Sequence, residues 1–294
     1  MKHPVLGVDT MSARALVDTY WMINKLSVAA LNRLSAVERG TDEPDRMRQA
    51  MLEGVTGIRR LKREYERHMI DVLDGCPVWE DYLSHIRGIG AVLAFQAIVL
   101  VPDWTKHVSS IWAYAGLTPH CWIGECEKGH KRMYPREVTS LQPCKAPGKQ
   151  VGEVCGARIV TVTFRGRAPR RERGVFGFWN PRFRTTCWLI ARSFEMQNPE
   201  KSFYRKEYDR FKAREAAQVS QGHARNRALR MVAKLFISHL HGAINELCFG
   251  VKPDPFVLNL PSHSHISVWQ EAVAYDTAVV NGGKRHYSRL EARA

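Results

Sequence analysis

The chain has 294 residues, and its 44 lysines and arginines outnumber 29 aspartates and glutamates, for a formal charge of +15. That length supports one large domain or two smaller ones with real cores, and the positive excess favours nucleic acid over an acidic membrane surface as partner. No apolar run reaches the roughly 18 residues of a transmembrane helix, the start lacks the apolar stretch of a secretory signal, and seven cysteines read as reduced thiols or metal ligands in a cytoplasmic protein.

Residues 10–37 and 43–74 are expected to form two long helices. In the second, Met51, Val55, Ile58, Leu61, Tyr65, Met69 and Val72 recur at spacings of three and four, with Arg59, Arg60, Lys62, Arg63 and Arg67 opposite. Gly40 suits the end of the first helix, Thr41 or Asp42 the cap of the second, and Pro44 its first turn. Residues 1–78 thus read as a helical hairpin or coiled coil, a surface through which copies of the chain would associate. Gly75 and Pro77 end it.

Residues 79–249 read as a second, mainly helical unit. It opens on Ile86-Arg87-Gly88-Ile89-Gly90, set between the apolar segments 79–85 and 91–101. Two glycines in a tight turn between helices form a helix-hairpin-helix signature. They let the backbone approach a ligand closely, and the next helix begins with unpaired N–H groups that favour an anion. Arg87, Gly88, Ile89 and Gly90 are therefore candidate phosphate contacts, and an ordinary tight loop between core helices is the plainer alternative. Ser109–Ala115 reads as a further helix, ending at Gly116-Leu-Thr-Pro119.

Residues 121–158 form a cysteine-rich insertion in this unit. Cys121, Cys126, His130, Cys144 and Cys155 fall within it, and the set Cys126, His130, Cys144 and Cys155 supplies the four soft or borderline ligands that zinc takes. A segment so poor in large apolar residues needs a staple to fold. Ala157–Phe164 alternates like a strand. From Arg158 to Arg184 there are eight arginines, among them Arg165, Arg167, Arg170, Arg171, Arg182 and Arg184, against the single acid Glu172. Phe164, Phe176, Phe178, Trp179 and Phe183 are interleaved with them, a composition suited to phosphate pairing with base stacking. Helices are expected over Pro181–Gln197, Lys201–Ala217 and Ala224–Leu247, and residues 250–294 read as a loosely packed polar tail. His263 and His265 in that tail could bind metal, though a polar tail accounts for them more simply.

The order of motifs resembles the C-terminal domain of insertion-sequence-110-type transposases. It runs from Ile86–Gly90 through Trp112-Ala-Tyr-Ala-Gly-Leu-Thr-Pro119 to Asn180-Pro-Arg-Phe-Arg184, then Asn198–Tyr208 and Gly222–Lys234, with the insertion between. The resemblance implies a DNA recombinase that works with a structured guide RNA, pairs this helical domain with a RuvC-like acidic domain and associates through a coiled coil. Val5-Leu-Gly-Val-Asp9 is similar to that domain's opening strand and Thr41–Asp45 to its late paired aspartates, but the 31 residues between them leave no room for the remaining strands. The family's serine nucleophile precedes the position of Asn180, where this chain has Thr161-Val-Thr163-Phe-Arg-Gly-Arg167 without a serine.

These readings together describe a mainly α protein: a helical hairpin, a helix-hairpin-helix domain and a small β, zinc-like insertion. The expected function is DNA binding of the transposase or recombinase type, truncated or catalytically degenerate. An active recombinase using a hydroxyl near Thr163 and a basic helical RNA-binding scaffold are the alternatives.

Overall fold

The computed structural model describes residues 2–40, 46–139, 142–146, 153–254 and 267–278. Helix α1 spans Thr10–Gly40 and α2 spans Arg46–Leu73. Asp9 starts α1 as a side-chain cap, its carboxylate accepting the Ser12 N–H at 2.8 Å and the Ser12 hydroxyl at 2.9 Å. The preceding segment, expected to resemble a strand, is a closed turn instead. His3 N–H reaches Val8 O, Gly7 N–H reaches His3 O, and Gly7 takes the left-handed conformation (φ 68°) that this closure requires. The candidate caps Thr41 and Asp42, with Pro44 and Asp45, lie outside the described residues, as do His263 and His265.

The two long helices run antiparallel, since the Tyr20 hydroxyl donates to Glu66 and Arg48 pairs with Glu38. Val55 and Met69 of the expected α2 stripe are buried, whereas Leu61 is exposed. The base of the hairpin packs into the rest of the molecule. Val17, Tyr20, Met69 and Leu73 at its base belong to the main core of the molecule.

That core is built from α3 (Pro77–Asp81), a 3-10 turn (Leu83–His85), α4 (Ala91–Val99), α5 (Val108–Tyr114), α6 (Pro181–Glu195), α7 (Phe203–Ala216) and α8 (Gln221–Phe249). Along α8, Leu229, Val232, Ala233, Phe236, Leu240, Ala243 and Ile244 are buried, the three-and-four spacing that turns one face inward. Asn180 caps α6 by accepting the Arg182 and Phe183 N–H groups at 2.9 and 3.0 Å, with Pro181 next in the first turn. The segment after Gly250, expected as a loose tail, instead carries a docked helix, α9 (Trp269–Ala278). It buries Ala272 and Asp276, and Trp269 Nε1 donates to Glu246 of α8 at 2.9 Å.

Between α5 and α6 lies a four-stranded sheet in the order β3-β1-β2-β4, with β1 Cys121–Cys126, β2 Lys131–Tyr134, β3 Ile159–Arg165 and β4 Val175–Phe176. β1 pairs antiparallel with β2 (Trp122 opposite Tyr134) and with β3 (Ile123 opposite Thr163), while β4 runs parallel to β2. Its hydrophobic support is thin: three small clusters, each with three buried residues. Among the described residues no helix is long and apolar enough to cross a membrane.

Candidate functional site

Four side chains of the insertion converge. The ligand atoms of Cys126, His130, Cys144 and Cys155 all lie within 4.8 Å of one another, and the Cys126 and Cys155 sulfurs are 3.9 Å apart. Local backbone geometry produces the convergence. Cys126 ends β1 and His130 precedes β2, joined by a tight turn in which Gly129 N–H reaches Cys126 O at 2.7 Å and Cys126 N–H reaches His130 O at 3.1 Å. Gly129 sits there at φ 75°, a conformation that favours glycine. The other two cysteines come from a second loop. Cys144 N–H donates to Ala157 O at 2.8 Å, Gly156 N–H to Cys144 O at 3.0 Å, and Cys155 N–H to Ala146 O at 2.9 Å.

The electrostatics suit thiolates at one end of this cluster. Burial opposes ionisation of Cys126, but the backbone N–H groups of His130 and Lys128, with the neighbouring thiols, outweigh it and hold that thiol below its usual value. Ala146 N–H likewise points at the Cys144 sulfur at 3.4 Å, although burial pushes the Cys144 thiol up. His130 Nδ1 is buried with no hydrogen-bond partner among the described residues. Three sulfurs beside an orphaned imidazole are a donor set for a metal ion of zinc-like preference, and this cluster could hold a metal ion. Cys121, the fifth candidate, is elsewhere: it packs with Ile123 and Met133, and its thiol donates to Arg167 O at 3.9 Å.

The arginine-rich segment wraps the same sheet. Arg165, Arg167 and Arg170 all approach Glu172, at 3.9, 3.1 and 3.9 Å, so one carboxylate faces three guanidiniums. Arg171 is exposed. Arg182 pairs with Asp18 of α1. Arg184 is half-buried, donates to Pro169 O at 2.7 Å and stacks over Trp179 with its guanidinium 5.1 Å from the ring centre. Burial and the nearby Arg230 lower its affinity for a proton.

The hairpin turn is held from within. Arg87 N–H donates to the Asp276 carboxylate at 2.7 Å, and Gly88 O accepts the Ser193 hydroxyl at 2.6 Å. Gly88 has φ 90°, and a Cβ there would meet Ser193 Oγ at 2.9 Å, so only glycine fits both the backbone and the contact with α6. Ile89 is buried, and the Arg87 Nε is buried without a partner. Gly90 precedes α4 and offers no side chain to its first turn. Of the four candidate contacts, the backbone N–H of Arg87 is thus taken by an internal carboxylate, while Gly90 and the first amides of α4 have no protein acceptor among the described residues. Asp276 completes a second N–H bond to Phe203, at 2.6 Å, and burial raises its carboxyl to about 6.

Thr163 is exposed in mid-strand, opposite Ile123, which is the placement of an ordinary ladder residue. Sequence reasoning missed Asp276, 189 positions from the turn that it caps, and it missed Arg230 and Lys234 as individual site residues. Their signal was present only as the density of basic residues from Lys201 to Lys234. Comparison of the chain with protein-family models and with curated proteins gives no match.

Proposed function

We propose that the chain is a DNA-binding protein of the transposase or recombinase type, gripping phosphates through the arginine-rich segment and the amides that open α4, with zinc bound by Cys126, His130, Cys144 and Cys155. The observation that carries this reading is the set of three guanidiniums over the single carboxylate of Glu172. A surface that leaves cations in such excess attracts a polyanion, and phosphate backbones neutralise it with release of counterions. The motif order from Ile86 to Lys234 resembles a transposase DNA-binding domain and supports DNA in particular. A structured guide RNA is the second polyanion that this resemblance brings.

Zinc would act here as a structural element. The four ligands come from protein alone, which is the closed set of a structural site, and the segment has little apolar core of its own. Self-association through α1 and α2 belongs to the same reading. Met11, Met22 and Leu26 lie on one side of α1 and are 73%, 69% and 52% exposed, an apolar stripe suited to a second copy.

The test is the salt dependence of duplex binding. The double variant Arg170→Gln/Arg171→Gln should weaken binding to unrelated duplexes to a similar degree and reduce the slope of log affinity against log salt by about 2. An unchanged slope removes the arginine-rich segment from the interface.

A further inference from the structure

A groove of about 460 Å³ runs between the sheet and the α7–α8 pair, and neither the hairpin turn nor the metal cluster contributes to it. One wall carries His120 and Phe164, and the other carries Glu215, Arg227, Arg230 and Met231. Phe164 is 57% exposed, yet its ring is held in place, with its centre 5.6 Å from that of His120 and 5.2 Å from that of Trp122. A rigid, solvent-facing ring edged by two others is a platform for a flat, stacking ligand.

The facing wall is a row of cations on α8. Arg227, Arg230 and Lys234 are spaced three and four apart and so share one helix face. Glu215 pairs with Arg227 at 3.0 Å, but Arg184, Arg230 and Lys234 have no carboxylate at ion-pair distance among the described residues. These three lie partly buried beside one another. Burial, followed by the charge of Arg230, lowers Lys234 to about 8, and Arg230 is lowered by burial and then by Arg227. Lys234 leans on Trp112, 4.2 Å from its ring centre. Like charges gathered and partly desolvated without a counterion are relieved by an anion placed at the mouth of the row.

Resting on the DNA-binding reading above, we propose that this groove takes one unpaired nucleotide of a single DNA strand, its base stacked on Phe164 and His120 and its phosphate set against Arg227 and Arg230. The volume falls in the range of sites for small organic ligands, about 300–1,000 Å³. Stacking accepts any base, so the groove selects unpaired over paired DNA rather than one sequence over another.

The probes are a labelled oligothymidylate, a blunt duplex of equal length and the matching oligouridylate, each titrated by fluorescence anisotropy against the full-length, metal-replete protein. Phe164→Ala, an exposed position, should weaken oligothymidylate binding about tenfold and leave duplex binding within about twofold. Arg230→Met should weaken oligothymidylate binding and reduce its salt slope by about 1. A fluorescent purine analogue placed in the strand should be quenched by the wild type and not by Phe164→Ala. Oligothymidylate affinity indifferent to Phe164→Ala, or an equal loss on the duplex, overturns the groove while leaving the duplex grip intact. Loss of duplex binding alone in the wild type overturns the grip and not the groove. A preference for oligouridylate over oligothymidylate of about tenfold or more overturns the assignment to DNA.

Discussion

The same residue type does opposite work in the helical body and in the insertion. Cys187, on α6, sits in the main core, where burial pushes its thiol far up and it serves as a small apolar side chain. Cys126 sits in a cluster whose buried members are two cysteines and Ala146, and backbone N–H groups hold its thiol down. The body has enough apolar area to fold around its cysteines. The insertion has little of its own, and there three cysteines converge with His130 into a cluster that could hold a metal ion.

Metal removal breaks this comparison most severely. Structural zinc contributes on the order of 10 kcal/mol or more to small metal-dependent folds. Chelation, or Cys144→Ser, should therefore expose strands β1–β4 to protease and to hydrogen exchange, while the thermal transition of the helices keeps its midpoint. An equal loss in both regions would mean that the sheet and the body fold as one. The converse variant is Phe236→Ala, in the body. Phe236 is buried in α8 between Tyr82, Phe194 and Tyr204, and its truncation should cost about 3–5 kcal/mol, read from the urea midpoint. The metal stoichiometry of the folded fraction should stay the same.

What was legible in the sequence follows the same division. The converging quartet was readable because ligand chemistry resides in residue type, and five such residues in a loop-rich stretch narrow the choice to a few sets. The start of α6 at Pro181 and the amphipathic stripe of α2 were readable because their signals lie within a few positions, whereas the capping role of Asn180 went unread. The tail was not. Asp276 takes its meaning from Arg87 and Phe203, 189 and 73 positions away, and no local pattern announces such a pairing. The groove was hidden for the same reason, since Phe164 and Arg230 meet only after the sheet folds onto α8.

Acid sharpens the comparison within the body. His239 is buried against Tyr204 and Ser267 O, and burial depresses it to about 4. A depressed histidine leaves the unfolded chain binding the proton first, so its contribution to stability is present above about 6.5 and is lost as pH falls toward 4, by about 3 kcal/mol. Asp276 works in the other direction. Its carboxyl is raised to about 6, so the folded state takes up the proton first and gains about 3 kcal/mol over the fall from pH 6 to 4. Asp276 offsets part of the loss from His239, and His3 and His241, also lowered by burial, add to that loss. In Asp276→Asn that offset is gone, and the urea midpoint should drop more steeply below pH 6.5 than in the wild type. A parallel pH profile for both proteins would separate Asp276 from this balance.

The smallest effect tests the turn itself, through its two glycines. Gly88 stands at φ 90° with Ser193 and Gln197 against the place of a Cβ, so Gly88→Ala should cost about 1–2 kcal/mol from the backbone alone and loosen the Ser193 bond to its carbonyl. Gly90 has φ −98°, which any residue adopts, but it is the N-cap of α4, where alanine is poorer than glycine, so Gly90→Ala should cost about 0.5–1 kcal/mol. The two substitutions therefore separate architecture from grip. If the first amides of α4 hold a phosphate, a methyl at Gly90 crowds that phosphate, and duplex binding well below the thermal transition falls although the fraction folded is unchanged. If duplex affinity survives Gly90→Ala, the turn serves only to seat α4 against α6 and α9. The proposed duplex grip would then rest on the arginines around the sheet alone, because the carboxylate of Asp276 already occupies the amide of Arg87.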